Sequence, residues 1–97
     1  MARRNITFAS DTTKNFVPNH RRAGEYNATI QNLTDQTITI TVTNEDIQGS
    51  APTFDTPAAG ALAITAGAIG VLNEPYDGWL LTGGAAATGT VNIVESG

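Results

Sequence analysis

A chain of 97 residues is long enough for one domain with a modest core and too short to suggest two. It contains no cysteine, which excludes a disulfide framework, a thiolate nucleophile and a thiolate metal site. All five Lys and Arg lie in residues 1–23, whereas all but one of the 9 Asp and Glu lie in residues 24–97. The pattern predicts a basic segment attached to an acidic body that repels nucleic acid and anionic membranes.

The basic segment, residues 1–23, also carries apolar side chains that a solvated tail does not need. Ordering some 20 residues costs on the order of 20–40 kcal/mol of backbone entropy. Exposed ion pairs contribute only roughly 0.2–1 kcal/mol each to stability. Apolar burial and strand pairing must therefore supply most of the free energy that orders the segment. We therefore predict an extended arm that binds a protein surface. Its predicted partner-binding residues are Arg3, Arg4, Ile6, Phe8, Lys14, Phe16, Val17, Arg21 and Arg22.

The next two elements alternate apolar and polar residues with a period of two. In residues 36–44, QTITITVTN, isoleucine and valine alternate with threonine, and residues 26–32, YNATIQN, alternate likewise. Such alternation indicates half-buried strands of an antiparallel sheet. Asn32 and Asp35 supply turn chemistry between the runs, so we expect them to pair as a hairpin.

The remaining elements are short. Residues 44–60 contain Pro52 and Pro57 and are predicted to be a loop. Strands are predicted at residues 61–65, 68–72, 79–83 and 90–95, with a tight hairpin or bend at 66–67, a turn at 73–78 and a flexible hairpin loop at 83–89, GGAAATG. The fold class predicted is all-β: a small antiparallel β-sandwich or barrel over residues 24–97, with residues 1–23 as an extended N-terminal arm.

Catalytic and metal-binding chemistry finds little support in the sequence. The single histidine, His20, lies between Asn19 and Arg21 without a residue nearby that would orient it as a general base. The only adjacent carboxylates, Glu45 and Asp46, form a fragment of a calcium-loop pattern, and a solvated acidic loop is favoured over a shared divalent ion. We expect no enzymatic activity, no catalytic residue, no metal ligand and no cofactor.

An alternative function centres on Tyr76, Asp77 and Trp79. Aromatic side chains beside a carboxylate at a turn are able to form a shelf for a sugar, which would make the chain a carbohydrate-binding or adhesion module. The simpler interpretation is that Trp79, the only tryptophan, anchors the core. Exposure of Trp79 would support the sugar site, and full burial would remove it.

Three stretches, ARRNITF, TITITVT and GWLLTGGAAATGTVNIVESG, resemble those of small virion proteins of tailed bacteriophages, particularly head decoration (cement) proteins. The resemblance implies a non-enzymatic virion structural protein on the capsid exterior, made in the host cytoplasm, that stabilises the shell by bridging neighbouring subunits. It implies that Arg3, Arg4, Ile6 and Phe8 clamp the major capsid protein.

The resemblance further implies that other copies of the chain are partners, with a trimer favoured. A tail or neck component of the same particles is the alternative location. Neither nucleic acid nor membrane is an expected partner, because the body is acidic and no apolar run is long enough to span a bilayer.

Overall fold

The computed structural model describes residues 2–18, 26–45 and 52–96, and these residues form an all-β protein, as predicted. The strands are β1 (Ala2–Phe16), β2 (Asn27–Thr34), β3 (Ile38–Thr43), β4 (Leu62–Ile64), β5 (Ile69–Leu72) and β6 (Gly78–Ser96). Every strand pair is antiparallel. No membrane-spanning helix is found in the described ranges, because they contain no helix.

The long strand β6 organises the sheet. β1 pairs with it along nearly its whole length, from Ala2 opposite Glu95 to Phe16 opposite Trp79. On its other side, β3 pairs with residues 78–83 and β2 pairs with residues 89–96. β4 extends the sheet beyond β3, and β5 extends it beyond β2. Each half of β6 therefore lies inside its own part of the sheet.

We call these two parts half-sheet A and half-sheet B. Half-sheet A contains β5, β2, the second half of β6 and the first half of β1; half-sheet B contains β4, β3 and the remaining halves. Between them the pairing of β1 with β6 shifts register twice, between Ala9 and Thr13. Opposite Asp11–Thr13, β6 advances from Thr82 to Ala87, so its extra residues bulge and the sheet bends.

Because of this bend, the half-sheets face each other across one core and the sheet closes nearly into a barrel. The indole of Trp79, in half-sheet B, lies 4.7 Å from the ring of Phe16 and 6.5 Å, edge-on, from that of Tyr26. Inward-facing side chains alternate with exposed ones along the strands. The buried apolar residues are Phe8, Phe16, Tyr26, Ala28, Ile30, Ile38, Ile40, Val42, Ile64, Leu72, Trp79, Leu81, Ala87, Val91 and Ile93.

The predicted hairpin between residues 26–32 and 36–44 is wrong, although both strands exist. In the sheet order β6 lies between β2 and β3, so each strand pairs with a different half of β6. The physical reason lies in the connection, where the buried side chain of Asn32 donates to the Gln36 carbonyl at 2.8 Å. The chain crosses there from one half-sheet to the other.

The predicted hairpin loop at residues 83–89 is also not a loop. These residues lie within β6, which runs unbroken from Gly78 to Ser96. Small side chains at this point let the strand bulge and bend without reversing. The predicted bend at residues 66–67 is confirmed, since Gly67 has a φ of 84° and the N–H of Ala68 donates to the Thr65 carbonyl at 3.0 Å.

The N-terminal segment lies within the sheet. Instead of projecting as an arm, residues 2–16 form the edge strand beside β6, and Phe8 and Phe16 are each only 1% exposed. Alternation places Phe8 on the inner face, where the core supplies the apolar contacts that the sequence argument assigned to a partner. Residues 19–23 of the predicted arm lie outside the described residues.

Candidate partner-binding surface

The predicted partner-binding residues divide into surface and core positions. Arg3 is exposed and Lys14 is 40% exposed, whereas Phe8 and Phe16 are buried in the core of their own chain. Ile6 packs against that core. Arg21 and Arg22 fall outside the described residues. Partner binding by all these residues stays a prediction, and for Phe8 and Phe16 it requires that β1 leave the core.

Arg4 joins the two half-sheets. Its guanidinium lies 4.2 Å from the centre of the Phe16 ring and donates a hydrogen bond to the Val17 carbonyl. The same group lies 3.8 Å from a carboxylate oxygen of Glu95, which is fully buried and accepts from the Tyr26 hydroxyl at 2.8 Å. A buried carboxylate such as that of Glu95 needs its partners, so Arg4 has a structural role inside the domain. A residue that only clamps a partner protein would have no such role.

Lys14 has a local partner as well. Its ammonium lies 3.4 Å from the Asp11 carboxylate, and both side chains are more than a third exposed. The backbone N–H of Ala9 donates to the same carboxylate at 2.9 Å. This hydrogen bond, helped by the Lys14 charge, lowers the pKa of Asp11. An exposed pair of this kind contributes little to stability, so Lys14 is able to exchange Asp11 for another carboxylate.

β1 is the longest edge strand among the described residues. β1 is 15 residues long, and among the described residues it pairs with β6 alone. An edge strand presents N–H and C=O groups on which a further strand can pair. The register shifts between Ala9 and Thr13 interrupt this edge, which leaves residues 2–9 as its longest regular part.

A second surface was not predicted. The outer face of half-sheet A carries the exposed large hydrophobic residues Leu33, Ile69 and Val71, which are 50%, 65% and 54% exposed. A shallow groove of about 140 Å³ crosses this face. One feature of the sequence indicates this outer face: Leu33 occupies an exposed phase of β2, while Asn32 occupies the buried phase. The groove is lined by Arg3, Thr29, Gln31, Ile69, Asn92 and Val94.

The predicted sugar shelf is not formed. Trp79 has 0% exposure, so it offers no face to a ligand and instead anchors the core. Tyr76 is half-buried beside a cleft of about 500 Å³ that is also lined by Glu45 and Asp55. Its hydroxyl donates to Glu74 at 2.7 Å and accepts from the N–H of Ala58 at 3.0 Å. The hydrogen bonds of this hydroxyl are therefore made to neighbouring loop residues.

The carboxylates around this cleft do not converge. Glu45 accepts from the backbone N–H of Thr53 at 2.9 Å, and the backbone of Asp55 pairs with that of Val42. Within residues 2–18, 26–45 and 52–96, no three acidic or histidine side chains are grouped so that they would hold a metal ion. His20 and Asp46, weighed above as a base and an ion ligand, lie outside those ranges.

The fold and these surfaces define a small antiparallel β domain with an open edge strand. A comparison with protein families, curated proteins and solved structures finds no match to this chain. Any functional conclusion therefore depends on the residues and their geometry, with the resemblance to decoration proteins as a guide.

Proposed function

We propose that the chain is a non-enzymatic virion structural protein that decorates a bacteriophage capsid and bridges neighbouring shell subunits through β1. One observation carries the proposal: the cations of the described chain, Arg3, Arg4 and Lys14, all lie on a single edge strand of an otherwise acidic domain. A capsid exterior is the setting that the sequence resemblance suggests, and the major capsid protein is the partner.

In this proposal attachment uses the edge of β1 while the strand stays in its sheet. Removing Phe8 and Phe16 from the core would cost on the order of 3–5 kcal/mol each, judged from substitutions that delete such side chains. Pairing of a shell strand along residues 2–9 avoids that cost. Arg3 and Lys14 then face acidic groups of the shell, which align the strand and speed association.

Co-sedimentation with purified shells that lack the protein tests the proposal. Replacement of Arg3 and Lys14 by Gln removes two surface cations, and we expect at least a tenfold loss of shell affinity. The control carries Thr56→Glu and Asn73→Glu, which change the net charge equally at exposed sites outside β1. We expect the control to bind nearly as wild type does.

Two results would reject the proposal: no binding of the folded wild-type protein to shells, or equal losses in the test and control variants. Binding to isolated tails or necks in place of shells would instead support the alternative location in the same particle. Retention of the protein by sugar resins would revive an adhesion role at a site without Trp79.

A further inference from the structure

Four rows of outward-facing residues cross half-sheet A, and they define the outer face on which the exposed hydrophobic side chains gather. The strand register aligns Arg3 with Val94, Thr29 and Val71, and it aligns Asn5 with Asn92, Gln31 and Ile69. The third row is Thr7, Thr90 and Leu33, and the fourth begins with Ala9 and Thr88. Asp35 ends that fourth row, because its carboxylate accepts from the N–H of Thr88 at 2.9 Å.

Charge is distributed unequally on this face. Among the described residues of the four rows, Arg3 is the only cation and Asp35 the only anion, and they lie at opposite ends. Outward residues on one strand are about 6.8 Å apart and strands about 4.8 Å apart, so Arg3 and Asp35 are separated by roughly 20 Å along a diagonal. The other described surface carboxylates, Asp11, Glu45, Asp55, Glu74 and Asp77, lie outside these rows.

We propose that this face binds the same face of a second copy around a two-fold axis. The axis lies in the plane of the face and crosses the diagonal at right angles at its midpoint. It therefore places Arg3 of each copy over Asp35 of the other, so the dimer contains two Arg3–Asp35 ion pairs. On a flat lattice with the spacings above, the axis passes close to Ile69, the most exposed of the three hydrophobic side chains at 65%. Ile69 of one copy then packs against Ile69 of the other.

The size of the face sets the strength of the dimer. The 14 residues of the four rows cover roughly 450 Å² per copy at ideal spacings. Stable interfaces bury about 800 Å² per partner, so we expect a weak dimer with a Kd of roughly 0.1–1 mM. Such a dimer forms when copies are concentrated. The inference concerns a different surface from capsid attachment, which the proposed function assigns to the edge of β1, although Arg3 takes part in both.

Sedimentation velocity and NMR diffusion over a concentration series, up to about 1 mM protein, test the inference. We expect a monomer–dimer equilibrium that Ile69→Glu weakens at least tenfold, with circular dichroism confirming the fold of this exposed-site variant. Arg3→Glu places two carboxylates together and should weaken the dimer similarly. The double variant Arg3→Glu/Asp35→Arg reverses the polarity of each pair and should restore the dimer to within about threefold of wild type.

Thr39→Glu is the control, since Thr39 is exposed on half-sheet B. It should leave the dimer unchanged. A protein that stays monomeric throughout the series, forms a trimer, or dimerises equally with Glu at position 69 would overturn the inference. Shell binding by Ile69→Glu separates the two proposals, because that substitution leaves the edge of β1 intact.

Discussion

Asn32 is the residue that ties the two half-sheets together at the β2–β3 connection. Its amide nitrogen donates to the carbonyls of Gln36 and Ile64, both at 2.8 Å, and its side-chain oxygen accepts from the N–H and hydroxyl of Thr34. Its backbone pairs with Gly67 and Ala68. Since Asn32 is completely buried, these bonds replace water for every polar group of the residue.

Asn32→Asp should therefore be strongly destabilising. The carboxylate has no N–H to donate and faces the carbonyl oxygens of Gln36 and Ile64, so we expect the free energy of unfolding to fall by at least about 2 kcal/mol. Urea unfolding at neutral pH measures the change. Asn27→Asp makes the same substitution at an exposed position of β2 and should stay within about 0.5 kcal/mol of wild type. Similar losses in the two variants would contradict this role for Asn32.

The two tyrosines should make stability fall at alkaline pH. Burial raises the pKa of Tyr26, and its hydrogen bond to Glu95 raises it further. Burial also raises the pKa of Tyr76. Because the folded pKa lies above the unfolded value of about 10, this stability is complete below pH 10 and is lost as the pH rises beyond it.

Tyrosinate absorbance measures this effect, as the chain has only 2 tyrosines. We expect the native protein to ionise at higher pH than the urea-unfolded chain, with Tyr26 ionising only as the fold is lost. If both tyrosines ionise in the folded protein at the unfolded midpoint, the burial of the Tyr26 hydroxyl is contradicted.

At the scale of elements, β6 depends on glycine where it leaves the bulge. Gly89 has a φ of 131°, and a Cβ there would lie 2.6 Å from the Leu33 carbonyl oxygen of the neighbouring strand. We expect Gly89→Ala to lower the unfolding free energy by about 1–3 kcal/mol. Gly84→Ala is the control, since the nearest atom to its Cβ would be 3.8 Å away. Equal urea midpoints for the two variants would argue against this bend.

The strands could be predicted from the sequence far better than their partners. Alternation identified β2 and β3 because one face of each packs on the core, but alternation specifies a face and not a neighbour. For residues 83–89 the sequence predicts a loop because glycines mark turns, but glycine and other small residues also permit a bulged strand. The cluster of cations in β1 predicts a solvent-facing arm, whereas its burial follows from Phe8 and Phe16, which both lie in inward phases of the strand.

For the candidate site, the sequence located the cations but not the surfaces that they share. Arg3 and Arg4 are adjacent in the chain, yet alternation sends Arg3 to the outer face and Arg4 towards Phe16 and Glu95. The outer face that carries Leu33 and Ile69 can be recognised only when the pairing register of β1, β6, β2 and β5 is known. That register is a long-range property of the sheet.

At the scale of the whole molecule, residues 2–16 form a structural strand whose edge and outer face are exposed to partners. Arg3 lies on the side of β1 that faces solvent, whereas Arg4 and the apolar side chains of Phe8 and Phe16 lie on the side that faces the core. Binding and folding can then be altered separately by substitution, whereas deletion of residues 2–16 would remove both. A detachable arm would behave in the opposite way.

Amide hydrogen exchange in the free protein, resolved for each residue of β1 and β6, distinguishes a structural strand from a detachable arm. We expect alternate amides of β1, those directed at β6, to exchange as slowly as the amides of β6 and in the same cooperative unit. If all amides of β1 exchange rapidly while those that β6 directs towards β2 and β3 remain protected, the segment is a detachable arm and the account is contradicted.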